Sequence, residues 1–395
     1  MPKRPADERG GGRSAKIPRR RRRRHLYLVL DDWERGYSIR KLDLSSSSSS
    51  SDTDSGDAQH HHHPSDDSTT EPRLPPAVFR LEAPRACTGL FAAFGTRIMA
   101  THLTPRRTVP MFDVRKKALT FGPFQESHPN PTCGAFVEAD GKLFLLDDMN
   151  FMVLDPPPPP QPMDLFLDLE FDWRWRGGLP APPFTHYVVA HAVHPDGRTI
   201  FFSTEKQTRK RTKVATFAFD AARSRWTRHG GWRLPFADRG CFDRELDAWV
   251  GISGDPDTLG HLCACQTVST ASDDAEGESS SPAPAWKLSK EKLFCVGPAE
   301  KHVGATLVSM GGRGKFCVVH CVSMDDGREG HVSRGRARSP PERPRYLLRV
   351  TTFSLKYDHD GDLRAGMRRR VRSYRLPETA TLYCDGLEKP VAFWM

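Results

Sequence analysis

The chain has 395 residues, 37% hydrophobic and 27% charged, a globular balance with enough apolar material for a sizeable core. Its formal charge is +10, but residues 1–24 hold eleven of the 59 basic groups and two of the 49 acidic ones, which leaves 48 against 47 over the rest. A near-neutral body argues against a fold that binds nucleic acid through its own surface charge, and the absence of 18 consecutive apolar residues excludes a membrane-spanning helix.

Residues 1–25 are rich in Arg, Gly and Pro and carry too little apolar surface to offset the entropy of ordering, so a disordered basic tail is expected. Within it Lys3 and Arg4, then Lys16, Arg19, Arg20, Arg21, Arg22, Arg23 and Arg24, have the spacing of a bipartite nuclear-import signal. Clustered like charges that stay extended suit the acidic groove of an import receptor. No apolar segment of signal-peptide type accompanies them. The nine cysteines are odd in number and scattered through apolar runs, the pattern of reduced, buried thiols. The expected location is therefore nucleus or cytoplasm, with the nucleus favoured.

From Leu26 onward the apolar pattern has period two, and no amphipathic helix of ten or more residues is evident. Leu26–Leu30, Thr199–Ser203, Val214–Phe219, Phe316–Val322 and Leu347–Phe353 read as strands. The sharpest alternation runs from Leu165 through Leu167, Leu169, Phe171 and Trp173 to Trp175. Hairpins are expected at Ala135–Leu146 across Asp140-Gly141 and at Val188–Ser203 across Asp196-Gly197, since Asp-Gly between apolar runs is the strongest short-range hairpin signal. Three low-complexity inserts interrupt the pattern, at 45–73, 269–284 and 325–344, and Pro156–Pro160 forms a stiff loop.

A loose repeat emerges. A hairpin turns at a glycine (Gly95, Gly141, Gly197, Gly312), and a third strand then ends at an acid and runs into a fourth. Asp113, Asp220 and Asp358 are such acids. Asp243-Arg-Glu-Leu-Asp-Ala-Trp-Val250 fills the double gap between Gly197 and Gly312 as one more hairpin. Four strands in about 50 residues is the signature of a kelch-like β-propeller. The units fall at 26–82, 88–123, 133–176, 187–233, 240–288 and 303–375, which predicts six four-stranded blades in one domain spanning 26–395. Pro390–Met395 is placed to add a strand to the first unit and close the ring. A seven-bladed ring or a paired β-sandwich is the structural alternative.

Chemistry is sparse. Cys263 and Cys265, like Cys317 and Cys321, would share one face of a strand and read as core thiols. His191 and His194 flank a hairpin beside Asp196 with no nucleophile motif near them. Gly311-Gly-Arg-Gly-Lys315 lacks the spacing and the Ser or Thr of a phosphate loop. His60–His63 reads as a solvated tract. No catalytic, metal or cofactor-binding residues are assigned, and no cofactor is expected.

Several segments resemble a plant family expanded in grasses, the domain of unknown function sixteen-sixty-eight. They are Leu26–Asp43, His191–Ile200, Asp243–Gly251, Gly304–Val308 and Pro390–Met395. The family is similar in outline to the propellers that follow F-boxes, although the leucine-rich helical F-box segment is missing from this chain. The resemblance implies no catalytic residues. The expected function is a non-enzymatic protein-interaction scaffold binding a protein partner on a propeller face. The alternative is a nucleic-acid-associated factor that contacts phosphates through its tail and the Arg368–Arg372 stretch. A hydrolase or oxidase using the central channel is the least favoured class.

Overall fold

A computed structural model describes residues 23–44, 71–85, 91–101, 108–123, 134–147, 150–156, 173–185, 187–209, 211–270, 281–295, 300–324, 345–366, 368–382 and 389–395. The insert at 325–344, most of the two other inserts, tail residues 1–22 and the alternating run from Leu165 to Asp172 lie outside the described residues.

Among the described residues the strands form antiparallel meanders in chain order. The first comprises β1 (Leu26–Trp33), β2 (Gly36–Leu42) and β3 (Ala77–Glu82), with the 45–73 insert falling between β2 and β3. The second is β4 (Phe91–Phe94), β5 (Arg97–Ala100), β6 (Thr108–Asp113) and β7 (Ala118–Pro123). The third is β8 (Ala135–Ala139), β9 (Lys142–Leu146), β10 (Phe151–Asp155) and β11 (Arg174–Arg176). The fourth is β12 (Tyr187–Val193), β13 (Thr199–Gln207), β14 (Thr212–Asp220) and β15 (Arg225–Gly230). The fifth is β16 (Phe236–Asp243), β17 (Ala248–Ser253), β18 (Leu262–Gln266) and β19 (Trp286–Leu288). The sixth is β20 (Glu300–Ser309), β21 (Lys315–Met324) and β22 (Arg345–Tyr357), with β23 (Leu363–Ala365) and β24 (Arg370–Arg375) both on β22. Finally β25 (Val391–Trp394) pairs antiparallel with β1, Leu26 opposite Trp394 and Val29 opposite Val391.

Turn chemistry explains why the chain reverses where it does. Asp140 (φ 51°) and Gly141 (φ 68°) both take the left-handed conformation that a two-residue hairpin loop requires. The acids that end the third strands are Asx turns. Asp113 Oδ1 accepts the N–H groups of Arg115 and Lys116 at 2.9 Å each, and Asp220 Oδ1 accepts those of Ala222 and Arg223 at 2.9 and 3.1 Å. Asp358 does the same for Asp360 and Asp362. Burial opposes ionisation of Asp113 and Asp220, but the donated N–H groups outweigh it and hold both carboxyls below the usual range.

The apolar core is divided among the junctions between meanders, and the division is cyclic. Leu26, Leu28, Val319 and Leu348 join the sixth meander to the first. Tyr27, Tyr37, Phe91 and Ile98 join the first to the second. Met99, Met111, Leu143 and Leu154 join the second to the third, and Phe144, Phe151, Phe202 and Phe219 the third to the fourth. Phe201, Phe236, Trp249 and Cys263 join the fourth to the fifth, and Leu246, Leu262, Phe316 and Phe353 the fifth to the sixth. Strand side chains alternate between faces, so each sheet packs one face on its predecessor and the other on its successor. Only a closed ring allows every sheet to do so, and the inner edges that remain are short and face one another around the axis.

The described residues at the ends of two inserts have backbone partners. Arg73 forms a parallel bridge to Arg375, and Leu74 beside it is buried. At 269–284, Ser281 donates its N–H to His229 O and accepts Trp232 Nε1–H at 2.9 Å. Backbone partnering holds polar residues in place that composition alone assigns to a loop.

Candidate functional site

One strand of each meander faces a shared axis: β25, β4, β8, β12, β16 and β20 together line a channel of about 410 Å3. The lining mixes small side chains such as Ala92, Ala135, Ala237, Ala305 and Ala392 with larger apolar ones such as Phe91, Phe136, Phe393 and Trp394. Against this wall stand the charged groups Glu138, Asp238, Arg239 and Lys389, together with His191. Lys389 Nζ lies 2.8 Å from Asp238 Oδ1, an exposed ion pair that links the segment before β25 to the inner strand of the fifth meander. Both residues line the channel. Asp238 itself has φ 55° at a register irregularity in β16, where β16 also pairs in parallel with β12. That pairing sets His191 opposite Arg239.

Burial in the channel wall, then the charges of Arg239 and Lys389, push the His191 imidazole down to about 4, with Asp238 opposing. The unfolded chain therefore takes up a proton near pH 6.5 that the folded chain refuses until about pH 4, so this contribution to stability is complete above pH 6.5 and lost on acidification. Between pH 7 and 5 the loss is expected to be about 1–2 kcal/mol, discounted for solvent in the channel. Urea midpoints at the two pH values check this, and His191→Gln should reduce the difference.

The singled-out residues occupy varied places. Arg23 and Arg24 are described and exposed; Lys3, Arg4, Lys16, Arg19, Arg20, Arg21 and Arg22 lie outside the described residues, as does His60–His63. His194 Nδ1 sits 3.2 Å from Asp196 Oδ2, whose Oδ1 accepts Arg198 and Thr199 N–H groups at 2.9 Å, so both serve the hairpin turn. Gly311–Gly314 lie in the turn between β20 and β21, with Gly311, Gly312, Arg313 and Gly314 all at positive φ, and Lys315 opens β21. Cys263, Cys265, Cys317 and Cys321 are buried within strands, and burial pushes the Cys265 and Cys317 thiols up to about 12.

The Arg368–Arg372 stretch is less available to phosphates than its sequence implies. Arg369 donates to Leu293 O, and Arg372 Nη1 donates to Asp43 O at 2.8 Å. Two of its cations hold the sixth meander to its neighbours. Sequence reasoning also passed over Cys295, His302 and His320, which meet between the fifth and sixth meanders. Spacings of 7 and 18 residues form no compact ligand motif; the pairing of β20 with β21 joins the two histidines, and the segment after β19 brings Cys295 to them.

A closed ring of antiparallel meanders around a channel lined by one strand from each defines a β-propeller. Residues 23–374 match the family model described as Protein of unknown function (DUF1668), and the chain belongs to that family. The matched range includes the Leu26–Asp43, His191–Ile200, Asp243–Gly251 and Gly304–Val308 segments. No match was found among curated proteins.

Similar solved structures include the periplasmic gluconolactonase PpgL of Pseudomonas aeruginosa, 14% identical, covering 90% of this chain and 99% of that one with a TM-score of 0.33. The β-propeller domain of Myceliophteria thermophila Cps50 (Swd1) is 10% identical over 73% of this chain and 94% of that one, TM-score 0.28. Kuenenia stuttgartiensis hydrazine synthase is 12% identical over 69% of this chain, TM-score 0.29, and the match spans 62% of the hydrazine synthase chain. At these identities and scores nothing those proteins bind or catalyse transfers here. The fold rests on the strand pairing and the cyclic core.

Proposed function

We propose that this protein is a non-enzymatic interaction scaffold, acting in the nucleus, that engages a protein partner at the mouth of its channel. The observation that carries this reading is the grouping of Asp238, Lys389, Arg239 and Glu138 in one channel lining, with Asp238 and Lys389 as an exposed ion pair. Charges of both signs at fixed positions on a rigid ring select a complementary surface, and an exposed ion pair costs little to exchange for a partner's charges. Nuclear entry is assigned to the arginine tail. Proximity labelling in plant cells tests the reading, comparing the full chain, a version lacking residues 1–25 with a substitute import signal, and an Asp238→Lys variant with an unchanged melting curve. We expect a protein set that survives tail removal and is depleted by Asp238→Lys. A set of nucleic-acid-binding proteins that vanishes with the tail would favour the phosphate-contacting alternative, and indifference to Asp238→Lys would remove the channel mouth as the contact.

A further inference from the structure

Cys295, His302 and His320 come from three separate segments, and two of them, Cys295 and His302, are set by a local departure from regular geometry. His320 lies on β21, 1% exposed, on the face that carries Phe316 and Val318 toward the fifth meander. Regular pairing of β20 with β21, running Leu307↔Val318 and Ala305↔His320, would bring Val303 opposite Val322. A bulge between His302 and Gly304 intervenes, and His302 stands opposite Val322 instead. A bulge of this kind re-aims a side chain, and here it turns an imidazole onto the same face as His320. Cys295, after β19, takes φ 57°, a left-handed conformation rare for a side chain of its kind.

The result is a compact ligand set. His302 Nδ1 lies 3.0 Å from His320 Nε2, Cys295 Sγ lies 3.9 Å from that same nitrogen, and the three atoms fall within 4.8 Å of one another. Zinc bonds of about 2.0–2.1 Å to nitrogen and about 2.3 Å to sulfur, at tetrahedral angles, place ligand nitrogens roughly 3.3 Å apart and nitrogen and sulfur roughly 3.6 Å apart. Both hydrogen-bond-range separations are within about 0.4 Å of that geometry, less than a rotamer adjustment supplies. The surroundings suit a metal as well. Phe294 covers both rings, with centroids 5.7 Å from His302 and 4.9 Å from His320. Arg349, opposite His320 on β22, is neutralised by a two-bonded pair with Glu300 at 2.7 and 2.5 Å, so this cation does not face the site uncompensated. A neutral imidazole ligates through its free nitrogen, and the two nitrogens that face each other here are His302 Nδ1 and His320 Nε2.

We propose that Cys295, His302 and His320 form a zinc site with three protein ligands, closing the junction between the fifth and sixth blades. A borderline-soft donor set of two imidazole nitrogens and one thiolate sulfur favours zinc over the oxygen-seeking calcium and magnesium. On binding, the Cys295 thiol releases its proton to solvent and coordinates as thiolate. The one imidazole whose N–H lies between the two rings shifts it to its outer nitrogen, so that His302 Nε2 and His320 Nδ1 each carry one proton in the bound state, and the site gains one unit of positive charge. His302 and Cys295 are only part-buried, which leaves a route for the ion.

The test uses the full chain with His60–His63 changed to Ala, so that the histidine tract contributes no binding. Zn2+ titration against a chromophoric chelator is expected to show one equivalent bound, with a raised melting temperature. Cys295→Ala and His302→Ala should each weaken binding by more than the roughly 10–100-fold that loss of a merely supporting group costs. Co2+ added in place of zinc should give a thiolate-to-metal charge-transfer band in the parent and none in Cys295→Ser. Cys295 packs against the cluster between the fifth and sixth meanders and His302 contacts Phe294 and His320, so each variant's zinc-induced rise in melting temperature is read against its own metal-free curve. Absence of stoichiometric binding, or binding equal in the parent and both variants, overturns the proposal.

Discussion

Removal of residues 389–395 is expected to cost more than about 5 kcal/mol, comparable to the whole stability of an ordinary domain. Two junctions fail at once. Phe393 and Met395 pack with Tyr27 and Phe91 between the first and second meanders, while Ala392 and Trp394 pack with Leu26 and Leu28 between the sixth and first. The β1 ladder from Leu26 to Val29 also loses its partners, together with the reciprocal bonds between His25 and Met395. Net contributions of about 1 kcal/mol per ladder bond and about 1.5–3 kcal/mol per buried apolar side chain reach that total without any extra term. Urea unfolding followed by circular dichroism checks the result, and the shortened chain should lose its single cooperative transition. A midpoint equal to the parent's would mean that β25 does not close the ring.

Asp243→Ala is expected to cost about 3–5 kcal/mol, far more than the same change at Asp220. Asp243 is 0% exposed. Its Oδ1 accepts Glu245 N–H at 2.9 Å and Leu246 N–H at 3.3 Å, like the other turn acids, but its Oδ2 also accepts Gly314 N–H at 2.9 Å from the next meander. The carboxylate therefore ends its own strand and pins the β20–β21 turn. Bonds to a charged acceptor contribute about 1.5–3 kcal/mol each, and truncation leaves buried donors unpaired. Asp220 is part-exposed and caps only its own turn, so Asp220→Ala should cost about 1 kcal/mol. Asp243→Asn keeps the turn acceptor but can present an NH2 group to Gly314, and should fall between the two. Equal losses at Asp243 and Asp220 would remove the inter-blade role. Gly314 admits no side chain here either, since a Cβ would stand 2.3 Å from Leu355 O at φ 62°.

What the sequence by itself determined is local. Period-two apolar runs become strands such as β13 and β21 because alternate side chains face opposite sides of a sheet. Asp-Gly at 140–141 and the strand-ending acids Asp113, Asp220 and Asp358 become turns because their backbone and side-chain chemistry acts within four residues. The run from Leu165 to Trp175, sharpest in alternation, meets a described strand only at Arg174–Arg176. Tertiary structure alone decided the sites. His191, Asp238 and Lys389 share the channel mouth because inner strands from different blades converge on one axis. His302 meets His320 and Cys295 because one bulge shifts a register that pattern alone would have set the other way. Those contacts depend on ring closure and on a single extra residue in a ladder, and neither leaves a periodic trace in the chain.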